Sequence, residues 1–249
     1  MIKAVFFDID GTLVSFKTHV VPKSTLHAIE LLKKKGIKVF IATGRHRSSI
    51  NNLGDLEFDG YVTLNGGYVF AGKDDVIYKH SIPDKDIEAL VRYQEKEEEF
   101  PCAFVQEHEA FMNYTDKAVN DVFHLLNFPA PPIRPIEDII GKTVYQLIAF
   151  FTQEQEKRIM KVLSHCESTR WNPFFTDIVP FGSSKRVGID KMLEHFHIGL
   201  DECMAFGDGG NDIQMLSHVG IGIAMGNAAK EVMDAAGYVT TSVDENGIY

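Results

Sequence analysis

Residues 4–16 read AVFFDIDGTLVSF, an apolar run that ends on two aspartates one residue apart, Asp8 and Asp10, followed by Gly-Thr. A near-continuous run, without the alternation of a half-wetted strand, marks a parallel strand covered on both faces. In doubly wound sheets functional groups gather beyond the carboxyl ends of such strands. If the strand ends near Ile9, both acids stand at that edge. Close carboxylates are unfavourable unless a cation or a shared proton relieves them. Mg²⁺ suits the pair, being a hard ion usually held by a few carboxylates together with phosphate and water. The calcium-loop pattern D-x-[DN]-x-[DN]-G is absent, and an Asx-type turn at a strand end is the structural alternative.

The rest of the first third continues the strand-helix grammar. PKSTLHAIELLKKKG predicts a helix behind Pro22, capped by Ser24 or Thr25, with Leu26, Ile29 and Leu32 on one face and Gly36 as its exit. IKVFIAT reads as a second buried strand, GRHRSSINNL as the opening of a second helix, YVTLNG as a third strand and GYVFAGKDDVIYKHS as a hairpin. The last third repeats the pattern. There SKRVGIDKMLEHFH is helical, CMAF a strand, GNDIQMLSHV a helix, GIGIAM a strand and NAAKEVMDAAG a helix. Alternation at both ends predicts an α/β fold, a Rossmann-like three-layer parallel sheet built from residues 1–82 and 183–249. Between them, 83–182 shows helical patterns at 84–98, 115–126 and 153–164. It also carries a proline-rich loop FPAPPIRP, the strand-like VYQLIAFF and aromatic runs around Trp171 and Phe174. This segment reads as an inserted α+β domain with its own small sheet.

A chain of 249 residues can bury a sizeable core. Its net charge of −10 argues against a general nucleic-acid binder, yet leaves room for a small phosphorylated ligand met by local cations or a metal. Cys102, Cys166 and Cys203 are far apart and form no C-x-x-C pair, so neither a zinc site nor a disulfide framework is indicated. A reduced, cytoplasmic setting is the expectation. The chain opens directly on a strand-like run without a basic-then-apolar leader, and no apolar run approaches the ~20 residues that span a bilayer. Neither a membrane association nor an obligate protein partner is expected.

A second source of acids lies in AFGDGGNDIQML, where Asp208 follows a short apolar strand and Asp212 stands in a glycine-rich turn. IATGR puts Thr43 at another strand end, with Gly44 allowing close approach of the backbone to a ligand. GSSKR puts Lys185 at a helix start. Four acids, one hydroxyl and one lysine make a site for a metal and a phosphoryl group. Several of these residues have structural readings as well. Asp212 suits an acidic first helical turn, and Thr43 suits a helix cap. Asn65 either orients the Asp8 loop or shapes a turn with Gly66 and Gly67. His46 either meets substrate or begins a solvated helix. RWNPFF either lines a substrate chamber or fills the core of the small sheet.

The order DIDGT, ATGR, Lys185 and GDGGND resembles the four motifs of the haloacid dehalogenase-like (HAD) hydrolase superfamily. TLNGG at 63–67 and GIAMGNAAKEVMDAAGYVT near the end are similar to its Cof-type sugar-phosphatase branch. The resemblance implies that 83–182 is a type-2 cap covering the site and deciding the substrate. It implies a Mg²⁺-dependent phosphatase of a small phosphorylated metabolite, with Asp8 as nucleophile forming an aspartyl-phosphate. Asp10 would protonate the departing alkoxide and later deprotonate water. The metal would be held by the Asp8 side chain, the Asp10 backbone carbonyl and Asp208, with Asp212 nearby, directly or through water. Thr43, Gly44, Lys185 and Asn211 would bind the phosphoryl group. Two features depart from the family pattern. Arg186 stands where glycine is common, either beside the substrate or pointing to solvent, and DENGIY stands where relatives continue into a helix. A phosphotransferase or phosphomutase of the same superfamily, and an idle binding module, are the competing functions.

Overall fold

A computed structural model describes residues 1–125 and 130–249, excepting the side chains of Leu125, Trp171 and Asn172. Along the chain run β1 (Ala4–Phe7), α1 (Lys23–Lys34), β2 (Lys38–Ala42), β3 (Gly60–Thr63), β4 (Tyr68–Ala71) and β5 (Asp75–Lys79). Next come α2 (Asp84–Lys96), β6 (Cys102–Val105), β7 (Ala110–Met112), α3 (Lys117–Leu125), β8 (Gln146–Ala149), α4 (Gln153–Ile159), β9 (Cys166–Asn172) and β10 (Phe175–Pro180). The last stretch holds α5 (Lys185–Phe196), β11 (Cys203–Gly207), α6 (Ile213–Leu216), β12 (Ile221–Ala224), α7 (Lys230–Ala235) and β13 (Tyr238–Val239). The chain divides into two compact units. One comprises Met1–His46, Ile50–Lys79 and Ser183–Tyr249, the other Arg47–Ser49 and His80–Gly182.

Among the described residues the first unit carries an eight-stranded sheet of order β13-β12-β11-β1-β2-β3-β4-β5. It is parallel from β13 to β3 and antiparallel from β3 to β5. The apolar run of β1 is explained by helices on both faces. Ala4 and Phe6 pack with Phe40, Ile189 and Met192 on one side, while Val5 and Phe7 pack with Ile29, Ile41 and Phe58 on the other. Burying each phenylalanine contributes roughly 1.5–3 kcal/mol. Both faces of the central strands are therefore dry, and their open ends are where polar groups can meet.

The second unit has its own core and an antiparallel sheet of order β7-β6-β8-β10-β9. Leu90 and Val91 of α2 and Ile159 of α4 pack against Phe104, Leu147 and Ile178 on one face of that sheet. Phe175 is buried and its ring meets that of Phe150 at a tilt of 47°, whereas Phe174 is exposed. The alternatives raised for Trp171, and the expectations at Leu126, Phe128 and Pro129, lie outside the described residues.

Several local expectations need correction. The helix expected from GRHRSSINNL is only a 3₁₀ turn at Arg47–Ser49. Ser48, Ser49, Asn51 and Asn52 are types whose side chains compete for the backbone, and Gly54 follows in a left-handed conformation. Arg45 is instead tied by Nη1 to Asn52 Oδ1 at 3.2 Å, and Leu53 is buried as an anchor. At α1 neither Ser24 nor Thr25 caps the helix. Pro22 occupies that position, Ser24 Oγ donates to Asn246 Oδ1 at 2.6 Å, and Thr25 is buried. The helix expected over 153–164 ends at Ile159. Beyond it the ladder tightens to bonds from Lys161 N to Arg158 O and from Val162 N to Ile159 O, at 3.2 and 2.8 Å. The helix expected from GNDIQMLSHV is a 3₁₀ turn followed by the short α6. Among the described residues no helix is long and apolar enough to cross a membrane.

Candidate active site

Parallel pairing in register sets Phe7 beside Phe206, so β1 and β11 end within one residue of each other, and the residue after each strand is an aspartate, Asp8 and Asp208. Asp8 is held there by its own N–H, which donates to Phe206 O at 3.0 Å. Asp208 follows β11, and Thr43 follows β2 with its N–H on Val62 O at 2.8 Å. Lys185 is the first residue of α5, whose N-terminus is capped by Ser184 Oγ accepting from Val187 N at 3.3 Å. Gly66, in a left-handed conformation, lets that helix start approach. A Cβ at residue 66 would lie 2.0 Å from Ser184 O.

The lysine is the centre of the charge arrangement. Lys185 is fully buried, and its Nζ donates to Asp8 Oδ1 and to Asp212 Oδ1, each at 2.6 Å. Asp212 is fully buried too, and its Oδ2 accepts the N–H groups of Asp208 and Gly209 at 3.0 and 2.9 Å. Burial raises the Asp8 carboxyl well above the usual range; Lys185 pulls it down, and Asp212, Asp208 and Asp10 push it up again. Asp208 is pushed up to about 7 by burial and by Asp212, against the hydrogen bond from Thr12. Burial works against the charge of Lys185, yet Asp212 and Asp8 outweigh it and hold its pKa above the ordinary lysine value. One oxygen each of Asp8, Asp208 and Asp212 lie within 4.8 Å of one another. Three hard oxygen donors with more negative charge than one ammonium can balance fit a hard divalent cation such as Mg²⁺.

Asp10 stands apart from that cluster. Its carboxylate is forked by Arg45, Nε to Oδ2 at 2.8 Å and Nη2 to Oδ1 at 2.6 Å, and the Arg45 side chain is buried. Thr43 Oγ1 accepts the N–H of Arg45 at 3.1 Å, although no α-helix follows for it to cap. Asn65 does more than shape a turn. Its N–H donates to Thr43 O at 3.1 Å, and its Oδ1 accepts from Asn211 Nδ2 at 3.0 Å. Gly44 lies against the same side chain, a Cβ there falling 3.1 Å from Asn65 Nδ2. Arg186 is exposed, and His46 is in a loop rather than at a helix start.

Three contributors had no role assigned from sequence. Thr12 Oγ1 donates to Asp208 Oδ1 at 2.8 Å, Arg45 forks Asp10, and Asn227 Nδ2 donates to Asp208 Oδ2 at 3.1 Å. The available signal for Asn227 was its place just past β12, at the same edge that β1 and β11 load with acids.

The raised Asp208 pKa carries a stability consequence. In the fold this carboxyl is pushed up to about 7, against an ordinary aspartate value of 3.8. Between those values the folded state holds the extra proton, so this group's contribution falls as pH climbs through the window. EDTA-treated Asp208→Asn is therefore expected to melt above the wild type at about pH 8, with the gain fading by about pH 5. A gain of equal size at both pH values in scanning calorimetry would contradict this account.

The family profile described as haloacid dehalogenase-like hydrolase matches residues 5–249. YkrA of Bacillus subtilis (strain 168), provisionally named a phosphatase, is 34% identical over 99% of this chain and 95% of its own. The 5-amino-6-(5-phospho-D-ribitylamino)uracil phosphatase YitU of the same organism is 29% identical over 98% of this chain and 94% of its own. Among solved structures, one from work on the HAD subclass IIB sugar phosphatase BT4131 is 46% identical and superposes with a TM-score of 0.93. It covers 99% of this chain and 96% of its own.

Proposed function

This chain belongs to the haloacid dehalogenase-like hydrolases and is a phosphoric monoester hydrolase, and we propose that it dephosphorylates a small sugar phosphate through an aspartyl-phosphate on Asp8. The observation that carries the reading is the buried ammonium of Lys185 set between Asp8 and Asp212 at 2.6 Å each. It pulls the buried Asp8 carboxyl at the tip of β1 back towards its ionised form, against burial and the neighbouring acids. The sugar-phosphate class is supported by the likeness to the sugar phosphatase BT4131, 46% identical over nearly the whole chain.

In the proposed reaction the Asp8 oxygen not bonded to Lys185 attacks phosphorus, and the ester P–O bond breaks. The departing alkoxide takes a proton from Asp10. Water then attacks the phosphorus and passes a proton to Asp10, and the Asp8–phosphorus bond breaks to release inorganic phosphate. Both Asp10 oxygens accept from Arg45 in this structure, so the acid role requires one arm of that fork to open. Thr43, the Gly44 N–H, Lys185 and Asn211 would receive the phosphoryl oxygens. Asp8, Asp208 and Asp212, with the Asp10 carbonyl, would hold Mg²⁺, which when bound supplies Lewis-acid polarisation of the phosphoryl oxygens.

Magnitudes explain why the proposal needs all these parts. Phosphate-monoester hydrolysis can require ~10²¹-fold acceleration, about 29 kcal/mol. General acid-base help from Asp10 supplies only ~10²–10⁴-fold, about 3–5 kcal/mol. Covalent catalysis by Asp8 and preorganised donors around the phosphoryl group must carry most of the rest.

The test is a panel of hexose, pentose and ribityl phosphates and nucleotides, assayed for phosphate release with Mg²⁺ and with EDTA. Release from sugar phosphates, lost in EDTA, is expected. Turnover confined to nucleotides or ribityl phosphates would overturn the substrate class, and turnover indifferent to EDTA the metal. An isomerised sugar phosphate in place of free phosphate would put the chain among the mutases.

A further inference from the structure

We propose that Asn227 is a positioning residue. It fixes the Asp208 carboxylate and the loop after β1 in the arrangement a divalent cation requires, and it ties both to the C-terminal turn. The proposal rests on Asp208 being a metal ligand.

Asn227 lies three residues beyond β12. Its Nδ2 donates to Gly11 O at 2.9 Å and to Asp208 Oδ2 at 3.1 Å, while its Oδ1 accepts the N–H of Val243 at 3.0 Å. Both amide hydrogens and the carbonyl are therefore engaged. Turning the amide over would set its oxygen against two acceptors and its NH₂ against a donor, so a single orientation is allowed. Thr12 Oγ1 holds the other oxygen of Asp208 at 2.8 Å. A carboxylate with a donor on each oxygen cannot swing freely about its last torsion. The approach of the loop depends on Gly11, at φ +84°, where a Cβ would stand 2.2 Å from Asp208 Oδ2.

The third bond of the amide reaches outward. Val243 opens a 3₁₀ turn at Val243–Glu245 and is buried in the same cluster as Phe206 and Met225. Its neighbour Asp244 accepts from Ser15 Oγ at 2.6 Å and pairs with Lys17 at 2.8 Å. The turn thus grips the loop after β1 twice, through Asp244 directly and through Asn227 at Gly11. Partners of this kind, which orient a ligand without touching the ion, typically alter metal affinity 10–100-fold when removed.

Mg²⁺ titration by isothermal calorimetry on the full chain tests this, with thermal melts in EDTA and in excess Mg²⁺. Asn227→Ala is expected to bind Mg²⁺ ~10–100-fold more weakly than wild type, and to gain less in melting temperature when Mg²⁺ is added. A merely structural tie would lower both melts equally and leave the affinity alone, and that result would overturn the proposal. No uptake by the wild type would remove the metal reading and this proposal with it, whereas equal uptake by both proteins would remove the proposal alone. Should Asn227→Ala fail to fold, Val243→Pro removes the donor to Oδ1 while keeping an apolar side chain in the buried cluster, at a first helical position where proline is tolerated. Weaker Mg²⁺ binding is expected there too, and an affinity equal to wild type would overturn the proposal equally.

Discussion

Asp8→Asn is expected to lower kcat by at least ~10⁴-fold on every phosphate ester the protein cleaves, a modest figure beside the ~10⁶-fold loss known for removal of a catalytic nucleophile. The amide has the shape of the carboxylate but no anionic oxygen to attack phosphorus. Its carbonyl can still accept from Lys185, which reaches Asp8 Oδ1 at 2.6 Å, so the surroundings need not rearrange. The fold should not suffer either. Burial and three neighbouring acids already press the Asp8 carboxyl towards its neutral form, and the amide supplies a neutral form outright. Thermal denaturation in EDTA should therefore place the variant at or above the wild type while turnover is lost. This pairing separates a chemical defect from unfolding. A variant that keeps kcat within tenfold, or one that loses activity only because it melts early, would remove Asp8 from the role of nucleophile.

What could be read from the chain follows from how local each signal is. The apolar run of β1 and the acids at its end are neighbours in sequence, and so are Gly207, Asp208 and Asp212 in their turn. Burial on both faces writes itself as missing alternation, which is why the parallel sheet was legible. The stretch from Gly44 to Leu53 misled because Ile50 and Leu53 have helical spacing, while the competing hydrogen bonds of serines and asparagines leave no periodic trace. Contacts across the chain were not legible. Arg45 meets Asp10 from 35 residues away and Asn227 meets Gly11 from 216. A motif names the atoms brought to an edge, but the partners that restrain them come from other strands, and only the folded register decides which of those arrive. Asp10 illustrates the difference. Its place in DIDGT marks it as an acid at the strand end, yet nothing in that motif tells of the guanidinium that occupies both its oxygens.

Lys185→Met should cost the metal-free protein about 3–5 kcal/mol, the range seen when one partner of a buried ion pair is removed. The side chain keeps its length and gains nothing polar, so the packing term is small and the charge term dominates. Lys185 has no exposure and serves two carboxylates at once, Asp8 and Asp212. Without it Asp8, Asp208 and Asp212 face one another across the site, with Thr12 and Asn227 still donating to Asp208 and backbone N–H groups to Asp212. The deficit should shrink on acidification. Burial already lifts the Asp8 carboxyl, and Lys185 is the largest influence pulling it back down, so its loss lets Asp8 take a proton at a higher pH. A group whose folded pKa rises above its unfolded value destabilises the fold above that window and ceases to do so below it. Urea denaturation with EDTA present should therefore show the variant weakest at about pH 8 and recovering towards about pH 5. Circular dichroism is the suitable probe, because the one tryptophan, Trp171, belongs to the other unit. Added Mg²⁺ should return part of the loss by supplying positive charge to the same oxygens. A deficit under about 1 kcal/mol, the size of an exposed pair, would mean that water reaches these carboxylates and that the lysine does not hold the edge together.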